Sequence, residues 1–347
     1  MEKVESNVKT GRNNFIKGII ILIIFVICFF VSFTLGKYDI TIPQVLEVFK
    51  CALTGDTFAG DEMIPMVIMQ IRLPRIIVAS LIGGALAVSG AAYQGLFKNP
   101  MVSPDILGAS TGAGFGATIA IICSASFLWI QASAFIFGIV ATALAYGIGK
   151  MVSRGKEITL TLVLAGMVVS SLFSAFVTMI KYVADPLDKL PEITYWLMGG
   201  LSSVNIMDVK TAVLPILAGV VILMLIRWKL NVLSFGEEEA SALGINTKQV
   251  RLLTVLAATL LTSISVSIGG MIGWIGLIIP HLARMIVGPN YKDLIPVSFI
   301  LGACFLLIVD NVSRTVFMME IPIGILTSIL GAPFFVVLLF KRRRGWV

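Results

Sequence analysis

Three groups of polar residues in this sequence could do chemistry: a set of arginines, a run of glutamates and a stripe of hydroxyls. The arginines are Arg72 and Arg75 in IRLPR and Arg314 in VDNVSR. A guanidinium binds a carboxylate through two parallel hydrogen bonds, so these residues are candidates for receiving acidic side chains. The single histidine, His281, and the four scattered cysteines lack the spacing of a metal site or a catalytic centre. We therefore expect binding chemistry, without a metal, a cofactor or a catalytic residue.

The glutamates belong to a polar island, FGEEEASALGINTKQVR at 235–251, between two long apolar runs. Each glutamate would cost about 2.5 to 3.5 kcal/mol at the centre of a bilayer, so the island must lie in water. Gly236 ends the preceding element, the glutamates suit the first turn of a short helix, and Gly244 closes it. Ala240 and Leu243 are three residues apart and predict a small apolar face that a soluble partner could bind. A solvated loop between two spans is the alternative.

The hydroxyl stripe consists of Ser170, Ser174 and Thr178, spaced four residues apart in an otherwise apolar run. Such hydroxyls either hydrogen-bond to their own helix backbone, which is the commoner case, or line a watery pathway. The pattern leaves both interpretations open.

Glycines recur at the same spacing in another run, at Gly108, Gly112 and Gly116. Small residues on one helical face allow two helix backbones to approach closely. We predict that these glycines pack helices together, in preference to forming a ligand groove.

The elements that must position these groups are membrane-spanning helices. The sequence is 58% hydrophobic and 13% charged, against about 25% charged residues in soluble domains. Ten apolar runs approach the length that spans a bilayer, at 15–35, 66–92, 105–125, 128–150, 158–183, 208–228, 249–269, 272–288, 294–317 and 322–340. The sequence therefore predicts an all-α, polytopic membrane protein of about ten helices in one domain, 1–347, with short extra helices near 43–53 and within 185–204.

The distribution of basic residues predicts the orientation of these spans. Clusters at both ends, including those of the tail 1–14, place both termini in the cytoplasm, and 18 of the 26 lysines and arginines then lie on that side. The island 235–251 also falls on the cytoplasmic side. Because the basic residues follow the ends of apolar runs, the net charge of +7 does not indicate nucleic acid. The arginines at positions 72, 75 and 314 are outward exceptions, which could also pair internally, since Asp310 lies four residues before the last of them.

Two further classes of protein lack their usual signals. An ion-coupled secondary transporter needs a carboxylate in mid-membrane, whereas Asp105, Asp310 and Glu320 lie near predicted helix ends. A membrane-embedded enzyme needs a catalytic constellation, which the residues do not supply. The sequence also has no GxxxxGK[ST] phosphate loop, so the chain does not bind ATP by that means.

Several segments together resemble one family of membrane proteins. The segment IRLPRIIVASLIGGALAVSGAAYQGLFKNPMVSPDILGASTGAGFG at 71–116 resembles the signature of the FecCD-type permeases of bacterial ABC importers. GEEEASALGI at 236–245, IGGMIGWIGLIIPHLARMIVG at 268–288, VDNVSRT at 309–315 and EIPIGILTSILGAPFF at 320–335 are similar to the later blocks of that family, in the same order.

The resemblance implies a ten-helix permease of the type II ABC importer class in the cytoplasmic membrane of a prokaryote. Such a permease works as a homodimer or paired permease, with two cytoplasmic ATPase subunits and an extracytoplasmic substrate-binding protein. Ferric siderophores are the commonest substrates of the family, with cobalamin, haem and molybdate as alternatives. The arginines at 72, 75 and 314 then match residues that receive glutamates of the binding protein.

The resemblance also assigns roles to the other two groups. The island becomes the helix that couples the permease to the ATPase, with Gly236, Glu237, Ala240, Leu243 and Gly244 in its motif. The fifth and tenth helices line the family's pathway, which would give the hydroxyl stripe on the fifth helix a role in that pathway.

Overall fold

The computed structural model describes residues 2–153 and 158–342, and within these ranges the regular structure is entirely helical. Four basic residues counted for the inner side, Arg154, Lys156, Arg343 and Arg344, lie outside the described residues. The first helix begins at Glu2, so most of the tail predicted at 1–14 continues the first apolar helix.

Ten helical segments correspond to the ten predicted spans. They are α1 (Glu2–Ser32), a continuous segment Met63–Leu96, α5 (Ala109–Ile122), α6 (Phe127–Ser153), α7 (Ile158–Val183), α9 (Ile206–Leu233), α11 (Thr247–Gly269), α12 (Ile275–Val287), α13 (Tyr291–Thr315) and α14 (Ile323–Arg342). Among the described residues, seven of these are long and apolar enough to cross a membrane, and α5, α12 and α14 have shorter apolar stretches. The predicted fold class is thus confirmed.

Two spans begin later than the apolar runs predict. Gly108 has φ of +81° and Trp274 has φ of +70°, a left-handed conformation that a helix interior cannot contain. The helices α5 and α12 therefore start only after turns, at Ala109 and Ile275, although the predicted runs begin at 105 and 272.

Three short helices lie between the spans: α2 (Ile42–Thr54), α8 (Lys189–Met198) and α10 (Glu237–Ala242). The first begins with a capping box, in which the Gln44 side chain accepts a hydrogen bond from the backbone N–H of Thr41. It ends at Gly55, which has φ of +79°. The short helices predicted near 43–53 and within 185–204 are both present.

The continuous segment Met63–Leu96 contains α3 (Met63–Met66), a π-helical turn (Val67–Arg72) and α4 (Leu73–Leu96). Pro74 accounts for the wider turn, because proline has no N–H and its ring clashes with the carbonyl four residues earlier. The N–H of Leu73 instead bonds to the carbonyl of Ile68, five residues back.

Helix α4 is the centre of the bundle, with α9, α11, α12 and α13 packed around it. Close contact with α13 depends on glycine: a Cβ atom added to Gly83 would lie 2.2 Å from the carbonyl oxygen of Gly302. Likewise, a Cβ atom added to Gly302 would lie 2.3 Å from the carbonyl oxygen of Gly83. Both backbones meet without side chains between them, as small residues in membrane helices allow.

The glycine stripe on α5 meets α6 in the same way, but only in part. Added Cβ atoms at Gly112 and Gly116 would lie 2.5 Å from the carbonyl oxygen of Phe137 and 2.4 Å from that of Ser133. Gly108 lies outside the helix as its N-cap, so the predicted three-glycine face is a two-glycine face.

We expect Gly83→Leu to separate α4 from α13 and to destabilise the folded bundle by about 1 to 3 kcal/mol or more, the usual cost of overpacking. Gly147→Leu is the matched control, because a Cβ atom added to Gly147 in α6 meets nothing within 4 Å. Thermal unfolding of the detergent-purified variants measures the difference. Equal melting temperatures for the two variants would contradict this account of the packing.

Candidate docking and coupling surfaces

The three arginines lie together at one end of the bundle, which we call the arginine face. Arg75, at the start of α4, bonds to Asp310 on α13 through Nε, at 2.9 Å from Oδ1. Its two terminal nitrogens bond to Glu320, at 3.0 and 2.9 Å from Oε1 and Oε2. One guanidinium thus joins α4, α13 and the loop before α14.

The other two arginines tie α1 and the segment after it to the same cluster. Arg72 donates to the backbone carbonyls of Phe33 and Tyr38. Arg314 donates to the carbonyl of Ser32 at 2.6 Å, and its Nε lies 3.7 Å from Oδ2 of Asp310. Arg72 and Arg314 therefore hold the chain that leads into α2 against the C-terminal end of α13.

These contacts change how the arginines must be interpreted. Arg72, Arg75 and Arg314 are 3%, 5% and 6% exposed, and all three have partners within the chain. The resemblance predicts that they receive carboxylates from another protein, whereas the structure shows the internal pairing that the sequence left open. Sequence reasoning also missed Glu320, because no local pattern connects it with a residue 245 positions earlier.

Two exposed residues, Tyr38 and Asp61, form a hydrogen-bonded pair near the three arginines. The Tyr38 hydroxyl donates to Asp61, outside the apolar spans, and this hydrogen bond lowers the pKa of the Asp61 carboxyl. The backbone N–H of Met63 lowers that pKa further. Asp61 is therefore a stable anion on the arginine face at neutral pH.

The polar island forms α10 at the opposite end of the bundle, which we call the island face. Gly236 is its N-cap, Leu243 its C-cap, and Gly244 follows with φ of +77°. Because Ala240 is fully buried and Leu243 is 67% exposed, the two do not share an exposed apolar face as predicted. Phe235, just before the helix, is a second large apolar side chain that is exposed here, at 81%, and sequence reasoning did not single it out.

One ion pair fixes α10 to the rest of the chain. Glu237 bonds to Arg251, which is itself buried in the first turns of α11. The helix dipole of α10 also favours the Glu237 carboxylate, because Glu237 lies in the first turn of that helix. Glu237 therefore anchors α10, and the exposed surface of this segment includes Phe235, Leu243 and the glutamates 238 and 239.

The hydroxyl stripe lies on a helix that exposes most of its length. Ser174 and Thr178 are exposed and Ser170 is half-buried against the turn at Gly108. The Thr178 hydroxyl donates to the backbone carbonyl of Ser174 at 2.9 Å, which is the commoner of the two interpretations. Large apolar side chains surround the stripe, including Met167, Leu172 and Met179.

Helix α14 also exposes large apolar side chains, including Ile325, Ile329 and Val336. Of the 18-residue apolar stretch of α7, only 28% is buried within the chain, compared with 89% of the corresponding stretch in the segment containing α4. Apolar surface of this extent is covered by lipid or by another protein in a membrane.

These features define a class of protein: a multi-pass helical membrane protein that presents a short acidic helix between two spans. The chain belongs to the FecCD transport family, whose model matches residues 23–341. It is 40% identical to the molybdate import system permease protein MolB of Haemophilus influenzae, over 93% of this chain and 95% of that protein.

Other relatives carry different substrate names. The chain is 37% identical to an iron chelatin transport system permease protein of Helicobacter pylori, over 89% of this chain and 93% of the relative. A solved structure described as an inward-facing conformation of a metal-chelate type ABC transporter aligns with a TM-score of 0.83. Its sequence is 38% identical, and the alignment covers 93% of this chain and 98% of the other.

Proposed function

We propose that this chain is the membrane-spanning subunit of an ATP-binding-cassette importer and works beside a second permease with two cytoplasmic ATPase subunits. The observation that carries the proposal is α10. This short helix is held in place by the Glu237–Arg251 pair and exposes Leu243, in a chain of the FecCD family. Both termini and the island face then lie in the cytoplasm, and an extracytoplasmic binding protein delivers substrate at the arginine face.

Transport follows from movement of α10. ATP binding brings the two ATPases together, the coupling helices seated on them move, and the pathway opens to the other side of the membrane. The exposed faces of α7 and α14 line this pathway between two permeases, with Ser170, Ser174 and Thr178 on the wall. The chain itself carries out no covalent chemistry, and ATP hydrolysis belongs to the partner.

For the substrate we propose a ferric siderophore. The names of relatives that act on iron chelatin and iron hydroxamate support this choice. A hemin permease among the relatives makes haem an alternative. Molybdate is the second candidate, because a molybdate permease is 40% identical over nearly the whole length. Cobalamin, transported by another relative, is the third.

Affinity purification of the chain from its native membrane tests the proposal. We expect a soluble ATPase with a phosphate-binding loop to co-purify, together with a binding protein. Equilibrium dialysis of that binding protein against a ferric hydroxamate and against molybdate then decides between the two substrates. Recovery of the chain without an ATPase would contradict the proposed assembly.

The buried arginines suggest a specific way of docking. A carboxylate of the binding protein that bonds to Arg75 must compete with Glu320, because Asp310 is fully buried and Glu320 has a 27% exposed side chain. Glu320→Gln removes the competing charge while Arg75 keeps Asp310 as its partner.

We expect Glu320→Gln to tighten docking of the binding protein several-fold, measured by surface plasmon resonance on nanodisc-embedded importer. Glu62→Gln is the control, since Glu62 is an exposed acid of the same face that forms no ion pair with the three arginines. Unchanged or weaker docking of the Glu320 variant would show that partner carboxylates do not reach Arg75.

A further inference from the structure

A cleft lies between α1 and the junction of α12 with α13, on the island face. Its volume is about 930 Å³. The residues along it run from Asn14 to Leu22 on α1 and from Lys292 to Ile300 on α13. Eight residues of helix rise about 12 Å, so the cleft extends that far along both helices.

The two ends of the cleft differ in polarity. Asn14, Asn290, Lys292 and Asp293 line one end, where the connection between α12 and α13 turns. Ile19, Leu22, Val297 and Ile300 line the other end, deeper along the apolar parts of both helices. This arrangement matches a molecule with a polar head and an apolar chain, lying parallel to the helices.

Hydrogen bonds build the polar end. The Asn14 amide donates to the carbonyl of Val287 at 2.9 Å and to Oδ2 of Asp293 at 3.0 Å. Nζ of Lys17 donates to the carbonyl of Ile286 at 2.7 Å. These bonds fix α1 to the end of α12 and occupy the Asp293 carboxylate, while exposed Lys292 forms no ion pair with any described residue.

A glycine in the wall of the cleft adds to the open space. Gly18 lies on it, and a Cβ atom added there would meet nothing within 4 Å. A missing side chain on α1 thus leaves room between the helices, where a leucine or phenylalanine would have filled the space.

We propose that this cleft binds one anionic phospholipid. The phosphate lies beside the Lys292 ammonium and an acyl chain lies along Leu22 and Ile300. Basic pockets between membrane helices on the cytoplasmic side bind anionic headgroups in this way, where the leaflet is rich in anionic lipid. Assignment to the inner leaflet rests on the proposed orientation of the chain; binding itself does not.

Native mass spectrometry of the detergent-purified chain tests the proposal, with retained phospholipid as the readout. We expect wild-type protein to retain about one phospholipid beyond the background seen for Gly18→Trp, which fills the cleft and should lower the retained population at least tenfold. Gly147→Trp is the matched control, because Gly147 also has open space around it and does not line the cleft. It should retain the lipid as wild type does.

A second variant tests the headgroup without altering the apolar wall. In mixed phosphatidylglycerol and phosphatidylethanolamine, Lys292→Gln should lose the preference for the anionic lipid, and Lys229→Gln, at another exposed lysine, should keep it. Equal retention by the Gly18 and Gly147 tryptophan variants, or an unchanged lipid preference after Lys292→Gln, would overturn the proposal. Because the readout involves neither ATP nor substrate, its failure is separate from failure of the proposed importer function.

Discussion

Arg75→Ala is expected to destabilise the folded protein by about 3 to 5 kcal/mol, the cost of removing one partner of a buried ion pair. Arg75 is the shared partner of Asp310, which is fully buried, and Glu320. Without it, Arg314, whose Nε lies 3.7 Å away, is the one ion-pair partner left to the Asp310 carboxylate among the described residues. Urea unfolding in lipid nanodiscs, followed by tryptophan fluorescence, measures the loss.

Lys189→Ala provides the comparison for an exposed pair. Lys189 lies 3.1 Å from Glu192 on α8, where solvent screens the charges, so we expect a far smaller loss of stability than for Arg75→Ala. Arg75→Lys should recover only part of the stability, because an ammonium cannot bond to two carboxylates in the planar geometry of a guanidinium. A loss for Arg75→Ala no larger than that for Lys189→Ala would contradict the role assigned to this cluster.

Leu243→Asp is expected to release the ATPase and abolish ATP-dependent transport. Leu243 is 67% exposed, so the substitution leaves the fold of the chain intact. Burying a leucine against a partner contributes about 1.5 to 3 kcal/mol, which corresponds to roughly 10- to 100-fold in affinity before the cost of burying a charge is added. Co-purification of the ATPase with the variant measures the effect.

Leu53→Asp is the control for a charge placed on an exposed leucine. Leu53 is 89% exposed on α2. This helix follows Tyr38, which bonds to Arg72 at the arginine face, so the variant should retain the ATPase. Normal ATPase recovery with Leu243→Asp would exclude this leucine from the coupling surface. Loss of the ATPase from both variants would indicate a general defect of membrane insertion.

The helical framework could be predicted from the sequence because hydropathy and capping are local signals. The predicted span 158–183 has the bounds of α7, and the Thr41 capping box together with Gly55 marks α2. Where the prediction was wrong, at the beginnings of α5 and α12, the predicted apolar runs included Gly108 and Trp274. Their left-handed φ values end a helix without making the sequence less apolar.

The candidate surfaces were less predictable, because tertiary packing decides which residues remain exposed. The spacing of Ala240 and Leu243 suggests one apolar face, but α10 packs against α9 and α11 and covers Ala240. The partners of Arg75 lie on α13 and in the loop that follows it. The pattern of charges along the sequence predicts an arginine at a helix end but does not identify these contacts. The role of these surfaces in docking and coupling stays a prediction.

The most direct test of the importer function is uptake by proteoliposomes containing the complex purified from the native membrane. The vesicles would enclose ATP, and the recovered binding protein would be added outside with a radiolabelled ferric hydroxamate or labelled molybdate. We predict uptake of one of these substrates that requires ATP hydrolysis and that the Leu243→Asp variant lacks. Uptake by the chain alone, driven by an ion gradient in ATP-free vesicles, would contradict the account and favour a secondary transporter.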